Sequence, residues 1–235
     1  MDLERYSRDM LNYYARRVDP AVEKSGREHA EQYERDFNTE GHHTRDLGLA
    51  IQRALAGRDV LDLAAGMGQY ARFLVRTAKS VLATDASPRA LSRLNEGVTH
   101  GQDLPAGRFG MMELDAYRPD LAPGTFDGAL AVNWFQHMPR ERHEQWIARL
   151  HSKLQPGSVV LIAINHLSPR SRSKMFSKKG DPNLYEPRQT YDGEAVDVID
   201  NVFSEPDLRE IFDPHARGIE YTCGVGYYWV VYETK

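Results

Sequence analysis

At 235 residues the chain is long enough to bury a full hydrophobic core, and one α/β domain with additions is the most economical organisation. Its 41% hydrophobic and 27% charged residues are ordinary for a soluble globular protein. A net charge of −4 argues against broad nucleic-acid or anionic-membrane binding, and the single cysteine, Cys223, excludes an intrachain disulfide and fits a reducing compartment. The first nine residues are charged from the start and lack an apolar signal core, and the longest wholly apolar run, residues 159–164, is far too short to span a bilayer. The expected location is the cytoplasm.

Residues 1–18 read as a helix, with Tyr6, Met10, Tyr13, Tyr14 and Val18 at roughly helical spacing. Asp19-Pro20 and Gly26 interrupt it. A second helix is expected over 27–37, carrying Tyr33 and Phe37, and a third over 44–55, with Leu47, Ile51 and Leu55 on one face. Residues 1–43 are therefore expected to form a helical cap over the open side of a sheet. The tyrosines pack as amphipathic core, and Tyr33 is equally suited to meet a cationic ligand, because aromatic faces attract positive charge.

The pattern then changes. Residues 60–63 read as a short buried strand, Gly66 and Gly68 as a tight turn, and 69–77 as a helix. Glycines at a strand-to-helix turn let backbone approach a ligand closely, and a helix start offers unpaired N–H groups. A second apolar strand, 81–85, ends on Asp85, about 20 residues from the turn, where a strand-end carboxylate reaches ribose hydroxyls. Together these point to a cofactor carrying a nucleoside.

Ser87-Pro88 opens another helix, with Pro where its missing N–H costs little. Residues 97–107 hold three glycines and a proline and read as a loop. A third strand, 108–114, ends at Asp115; a loop covers 119–124; a fourth strand, 126–132, leads into Asn133, Trp134 and His137. Pro139 opens a helix to about Leu154, residues 155–157 read as a turn, and 158–165 as a fifth strand. Strands alternating with helices imply right-handed crossovers and a parallel sheet. Residues 166–188 read as a loop, basic between 168 and 180 (Arg170, Arg172, Lys174, Lys178, Lys179), either simply solvated or lying over a substrate as a lid. Asp192-Gly193 suggests a hairpin. A short helix follows Ser204, and 218–223 with 227–232 read as an antiparallel hairpin at the sheet edge.

Five segments now stand in order: Val-Leu-Asp-Leu-Ala-Ala-Gly-Met-Gly (60–68), Ala-Thr-Asp-Ala-Ser (83–87), Glu-Leu-Asp-Ala (113–116), Phe-Asp-Gly-Ala (126–129) and Leu-Gln-Pro-Gly-Ser (154–158). As an ordered set they resemble the class I S-adenosylmethionine-dependent methyltransferases. The last third, with Arg188, Tyr191-Asp-Gly193 and Phe203-Ser-Glu-Pro-Asp-Leu208, is similar to a bacterial subgroup that methylates small molecules, some of it in natural-product biosynthesis. The resemblance implies a Rossmann-like seven-stranded sheet of order 3-2-1-4-5-7-6, last strand antiparallel, over residues 44–235, with 166–203 as a substrate-side insertion.

The resemblance also implies roles. Asp62, Ala64, Gly66, Gly68, Asp85, Ala86, Asp115, Ala116, Asn133 and Trp134 would meet S-adenosyl-L-methionine: Asp62 its ammonium, Asp85 its ribose hydroxyls, Asp115 and Ala116 its adenine edge, Asn133 and Trp134 the sulfonium. Without the family, Asp62 and Asp85 read as helix N-cap or turn acids. Ala64 stands where the family usually has its first glycine. Asp197, Asp200 and Asn201 stand where a phosphonate-methylating member has a basic residue, which suits an amine or neutral polar acceptor better than an anion.

Methyl transfer is an in-line displacement in which alignment does most of the work. A base is needed only where the acceptor must lose a proton. His137 is the candidate by its near-neutral pKa, with backbone hydrogen bonding as its alternative role; Tyr33 and Asn133 complete the catalytic set. Tyr14, Tyr33, Trp134, His166, Tyr185, Arg188 and Tyr191 are the expected substrate-binding residues for a small-molecule acceptor. No metal-ligand spacing stands out, so no metal is expected, and the oligomeric state is not legible. Three rivals stay open: cyclisation of the methionine part of the cofactor with release of methylthioadenosine, an NAD(P)-dependent oxidoreductase using the loose Gly66-x-Gly68-x-x-Ala71 fingerprint, and a non-catalytic binding module.

Overall fold

The computed structural model describes residues 3–16, 28, 31, 35, 43–100, 104–166 and 172–235. Tyr33, Phe37, the expected breaks at 19–20 and 26, and Arg170 lie outside the described residues; within 27–37, Glu28, Glu31 and Arg35 are helical.

Five strands, β1 (Asp59–Leu63), β2 (Ser80–Asp85), β3 (Phe109–Glu113), β4 (Phe126–Val132) and β5 (Leu154–Asn165), pair in parallel. The later strands β9 (Ala216–Cys223) and β10 (Tyr227–Thr234) form an antiparallel hairpin. β10 pairs antiparallel with β5, giving the order β3-β2-β1-β4-β5-β10-β9. This is the expected Rossmann-like sheet, with the same neighbours and the same reversed strand.

The period-2 alternation of each strand sorts side chains into two cores. Leu61, Leu63, Ala129, Ala131, Val160 and Ile162 point to one face. Two helices cover it there: α5 (His143–His151), through Trp146, Ile147 and Leu150, and α6 (Glu205–Phe212), through Leu208 and Phe212. Val60, Val81, Ala83, Leu130, Leu161 and Ala163 point to the other face. They meet α2 (His43–Ala54), α3 (Ala71–Leu74) and α4 (Pro88–Thr99). Such a sandwich leaves the carboxyl ends of the parallel strands as the open edge, where ligands bind in this architecture.

Several local expectations are corrected. The helix expected over 69–77 shrinks to Ala71–Leu74, because Phe73, Arg76 and Thr77 donate to carbonyls three residues back and tighten the ladder. Helix α4 runs to Thr99, into the stretch read as a loop from residue 97. The helix expected from Pro139 divides into a 3₁₀ turn, Arg140–Arg142, and α5. The turn at 155–157 is a bulge inside β5, where the register with β4 jumps between Phe126 and Gly128. The loop expected over 166–188 contains β6 (Phe176–Ser177) and most of β7 (Leu184–Gln189), which join β8 (Ala195–Ile199) in a separate antiparallel sheet.

Helix α1 (Leu3–Ala15) packs on that small sheet: Tyr6, Met10 and Tyr13 form one apolar cluster with Tyr185, Val198 and Ile199. Its far end is tied by Arg16, which pairs with Asp192 and Glu194 in the β7–β8 turn, and by the Tyr191 N–H donating to the Arg16 carbonyl at 2.8 Å.

Candidate active site

A cavity of about 430 Å³ opens at the carboxyl ends of β1, β2 and β4, a size typical of small-molecule sites. Its walls come from the turn after β1 (Asp62, Ala64, Ala65, Gly66), the β2 end with the start of α4 (Asp85, Ala86, Ser87), the β3 end (Asp115, Ala116, Tyr117) and the β4 end (Val132, Asn133, Trp134). Met10, Leu11 and Tyr14 close it from α1.

The turn after β1 is held by backbone chemistry. Ala65 N–H donates to the Thr84 carbonyl at 2.8 Å, tying the turn to β2. Asp85 then locks it: Oδ2 accepts from the Gly66 N–H at 2.9 Å and Oδ1 from the Ser87 N–H at 2.8 Å. Burial raises the Asp85 carboxyl, and those two N–H groups oppose the rise. Each oxygen keeps a second acceptor direction. Ala64 sits at φ 52, a left-handed conformation that costs an alanine energy.

Asp62 lies on the cavity floor and is 3% exposed. Its Oδ2 has no hydrogen-bond partner among the described residues. Burial first, and the Asp85 carboxylate second, push its carboxyl up to about 8. A buried acid that lacks a donor and faces a second acid is a seat for a cationic or N–H-bearing group.

The β4 end is built from side-chain amides. Asn133 adopts φ 57, which Asn tolerates better than most residues. Its Oδ1 accepts from the Asn165 N–H at 3.1 Å, and its Nδ2 donates to the Tyr227 hydroxyl at 3.3 Å, so β4, β5 and β10 are pinned together at the cavity wall. Trp134 packs against Tyr117 and Trp146, and Trp146 Nε1 donates to the Ala116 carbonyl at 2.8 Å. At the β3 end, Asp115 accepts from the Tyr117 N–H at 2.9 Å and from Ser7 Oγ at 3.1 Å, which fastens α1 to the cavity rim.

Ten expected site residues line this one cavity: Asp62, Ala64, Gly66, Asp85, Ala86, Asp115, Ala116, Asn133, Trp134 and Tyr14. Gly68 lies behind it against α4, where an added Cβ would come 3.0 Å from Val98 Cγ2 and 3.3 Å from the Leu94 carbonyl. His137 is buried one ring beyond the cavity: its imidazole meets Tyr14 edge-on at 5.9 Å, and its Nδ1 lies 2.6 Å from the Ile199 carbonyl. A carbonyl only accepts, so Nδ1 carries the proton. Arg188 donates to Asp200 Oδ2 at 2.6 Å and to Glu186 Oε2 at 2.7 Å. Tyr185 is buried in the small sheet, with its hydroxyl donating to Asp181 Oδ2 at 2.8 Å. Tyr191 is exposed in the β7–β8 turn, and His166 packs on Tyr228 near Cys223. Met67, Gln69, Tyr70, Arg89 and Tyr117 also line the cavity and were not singled out in the sequence. Only Ser87, as an N-cap beside Asp85, had a local signal.

Residues 60–157 match the family described as Methyltransferase domain. Over that span the chain carries a methyltransferase domain. That span runs from β1 into the bulge of β5 and so contains every strand end around the cavity. No curated protein sequence matches the chain. Among solved structures, the chain is similar to DhpI in a SAM–HEP complex (25% identity, 88% of this chain and 93% of that chain, TM-score 0.61). It is also similar to DhpI in complex with SAH (22%, 89% and 93%, TM-score 0.62). At lower identity it shares its fold with the N-methyltransferase NodS from Bradyrhizobium japonicum WM9 in complex with S-adenosyl-l-homocysteine (12%, 88% and 98%, TM-score 0.56). Among the described residues of this methyltransferase, no helix is long and apolar enough to cross a membrane.

Proposed function

We propose that the domain moves the methyl group of S-adenosylmethionine to a nitrogen or oxygen of a small molecule. The observation that carries this reading is the Asp62 Oδ2, without a partner among the described residues, in a cavity that Asp85 also lines. When bound, the cofactor supplies an electrophilic methyl on a sulfonium. Asp62 would take its ammonium group, ending the isolation of that oxygen. Asp85, oriented by the Gly66 and Ser87 N–H groups, would accept the ribose hydroxyls. Asp115 and Ala116 would meet the adenine edge, with Trp146 fixing the Ala116 carbonyl from behind.

Asn133 and Trp134 would border the reacting centre, and the Tyr14 and His137 rings would form the wall on which the acceptor is aligned. Such positioning supplies roughly 7–11 kcal/mol of a barrier when two reactants are held in line. With Nδ1 committed to the Ile199 carbonyl, Nε2 is the nitrogen through which His137 would take a proton. The net charge of −4 and a cavity of small-molecule size fit a cytoplasmic enzyme of small-molecule, natural-product chemistry.

Calorimetric titration of S-adenosylmethionine onto wild type and Asp85→Ala tests the site. Binding in the micromolar range should be lost or greatly weakened in the variant, and unchanged affinity would contradict the assignment. Nucleoside products tell the reaction: S-adenosylhomocysteine marks methyl transfer, methylthioadenosine marks cyclisation, and binding without product marks a non-catalytic module.

A further inference from the structure

Two buried acceptor atoms lack a donor among the described residues. Gln136 and Asp200 are each 3% exposed, yet Gln136 Oε1 and Asp200 Oδ1 have no hydrogen-bond partner among the described residues. The two residues are neighbours: the Asn201 N–H donates to the Gln136 carbonyl at 2.8 Å, and Asp200 Oδ1 lies 4.0 Å from His137 Nδ1, which is committed to Ile199. Native structures rarely leave such atoms unpaired, because a buried acceptor without a donor is destabilising.

The charge count points the same way. Arg188 is shared between Asp200 Oδ2 and Glu186 Oε2, so one guanidinium faces two carboxylates and a surplus negative charge remains. Burial lifts the Asp200 carboxyl to about 6, with Arg188 opposing and Glu186 adding, so it is largely ionised above neutrality. An anionic ligand would find Arg188 already neutralised and two bare acceptors facing it. An alcohol offers one donor and no charge. An amine offers two or three donors and, as ammonium, the missing positive charge.

The cluster is also joined to the cavity wall, though neither residue lines it. Gln136 Nε2 donates to Asn165 Oδ1 at 3.5 Å, and the Asn165 N–H donates to Asn133 Oδ1, on the cavity wall. Tyr14 lines the cavity and touches the His137 ring. We propose that the methyl acceptor is an amine whose N–H groups are taken by Gln136 Oε1 and Asp200 Oδ1, making these two residues the specificity determinants of the acceptor site: bound as ammonium, it gives one proton to the Asp200 carboxylate, and the freed nitrogen lone pair forms the N–C bond as the S–C bond breaks, with S-adenosylhomocysteine leaving. This rests on the methyltransferase reading above and names its substrate class.

The test uses the full chain saturated with S-adenosylhomocysteine, whose binding is measured first by calorimetry. Benzylamine, benzyl alcohol and benzoate, equal in ring and size, are then titrated onto that complex. Affinity should fall in that order. Gln136→Leu should weaken benzylamine about tenfold, the effect of one lost hydrogen bond. Its ligand-free melting temperature should hold or rise, because no well-formed bond is removed. A merely structural Gln136 would instead lower the melting temperature and leave the order of ligands intact. Asp200→Asn should abolish the preference for amine over carboxylate while S-adenosylhomocysteine affinity is kept. Benzoate binding as well as benzylamine, no saturable benzylamine binding, or benzylamine affinity unchanged in both variants would overturn the inference with the cofactor reading intact. Failure of S-adenosylhomocysteine itself to bind would overturn the reading beneath it.

Discussion

Replacing Asp62 by Asn leaves the shape of the cavity floor and removes its ionisation. The carboxyl is raised from 3.8 to about 8, by burial first and by Asp85 second. The folded state thus holds this proton more tightly than the unfolded state does. The associated stabilisation is complete below pH 4 and is lost as pH rises through about 8. One group contributes a slope of about 1.4 kcal/mol per pH unit across that window. Between pH 5 and pH 8 the loss is on the order of 4 kcal/mol, and about half that if water enters the cavity and raises the local dielectric.

The ligand-free Asp62→Asn protein should therefore gain on wild type as pH climbs. At 2–4 °C per kcal/mol for a chain of this size, the gap in melting temperature should widen by roughly 5–15 °C from pH 5 to pH 8. Asp85 is present in both proteins and largely cancels. The assay is thermal unfolding by circular dichroism at half-unit pH steps, without and with S-adenosylhomocysteine. A ligand ammonium beside Asp62 favours the charged acid, so saturating ligand should flatten the wild-type pH dependence. The variant should bind at least about tenfold more weakly, one charge-assisted hydrogen bond being worth more than 1.4 kcal/mol. A gap that stays constant from pH 5 to pH 8 would refute both the burial argument and the assignment of Asp62 as the ammonium seat.

Two further expectations concern the turn after β1. Ala64→Gly should raise stability by about 0.5 kcal/mol: relief of a left-handed alanine, about 1–2 kcal/mol, exceeds the added chain entropy of glycine, about 0.5–1 kcal/mol. The readout is a melting temperature higher by 1–2 °C, at about 2–4 °C per kcal/mol, and a lower one would contradict the strain at φ 52. Gly68→Ala should destabilise by about 2–4 kcal/mol, because a Cβ at φ 89 would press on Val98 Cγ2 at 3.0 Å. Chemical denaturation measures this, and a change below about 1 kcal/mol would show that α4 yields freely, unlike most packed cores.

The sheet was legible because its signals are local. Apolar runs such as 126–132, acids at strand ends such as Asp85, and turn residues such as Asp192-Gly193 each act within a few residues, and their order leaves few topologies. Local reading failed where a partner far along the chain decides. Residues 176–189 look like a basic, Pro- and Gly-broken loop, yet pairing with β8 makes strands of them. Residues 155–157 look like a turn, but Leu154 and Val159 pair with β4 on either side of them and Thr234 Oγ1 donates to the Gln155 carbonyl at 3.2 Å, which holds them inside β5 as a bulge. Cavity residues such as Tyr117, Tyr70 and Arg89 carry no motif, since nothing near them in sequence marks the direction of their side chains.

By itself the sequence determined the element order, the glycine turn, and the acids that close β1, β2 and β3, because glycine geometry and strand periodicity are properties of short segments. Only the tertiary structure decided the protonation of Asp62, the commitment of Arg188 to Asp200 and Glu186, and the two acceptors at Gln136 and Asp200 left without donors among the described residues. Those depend on removal from water and on neighbours up to scores of residues away, which come together only when the chain is folded.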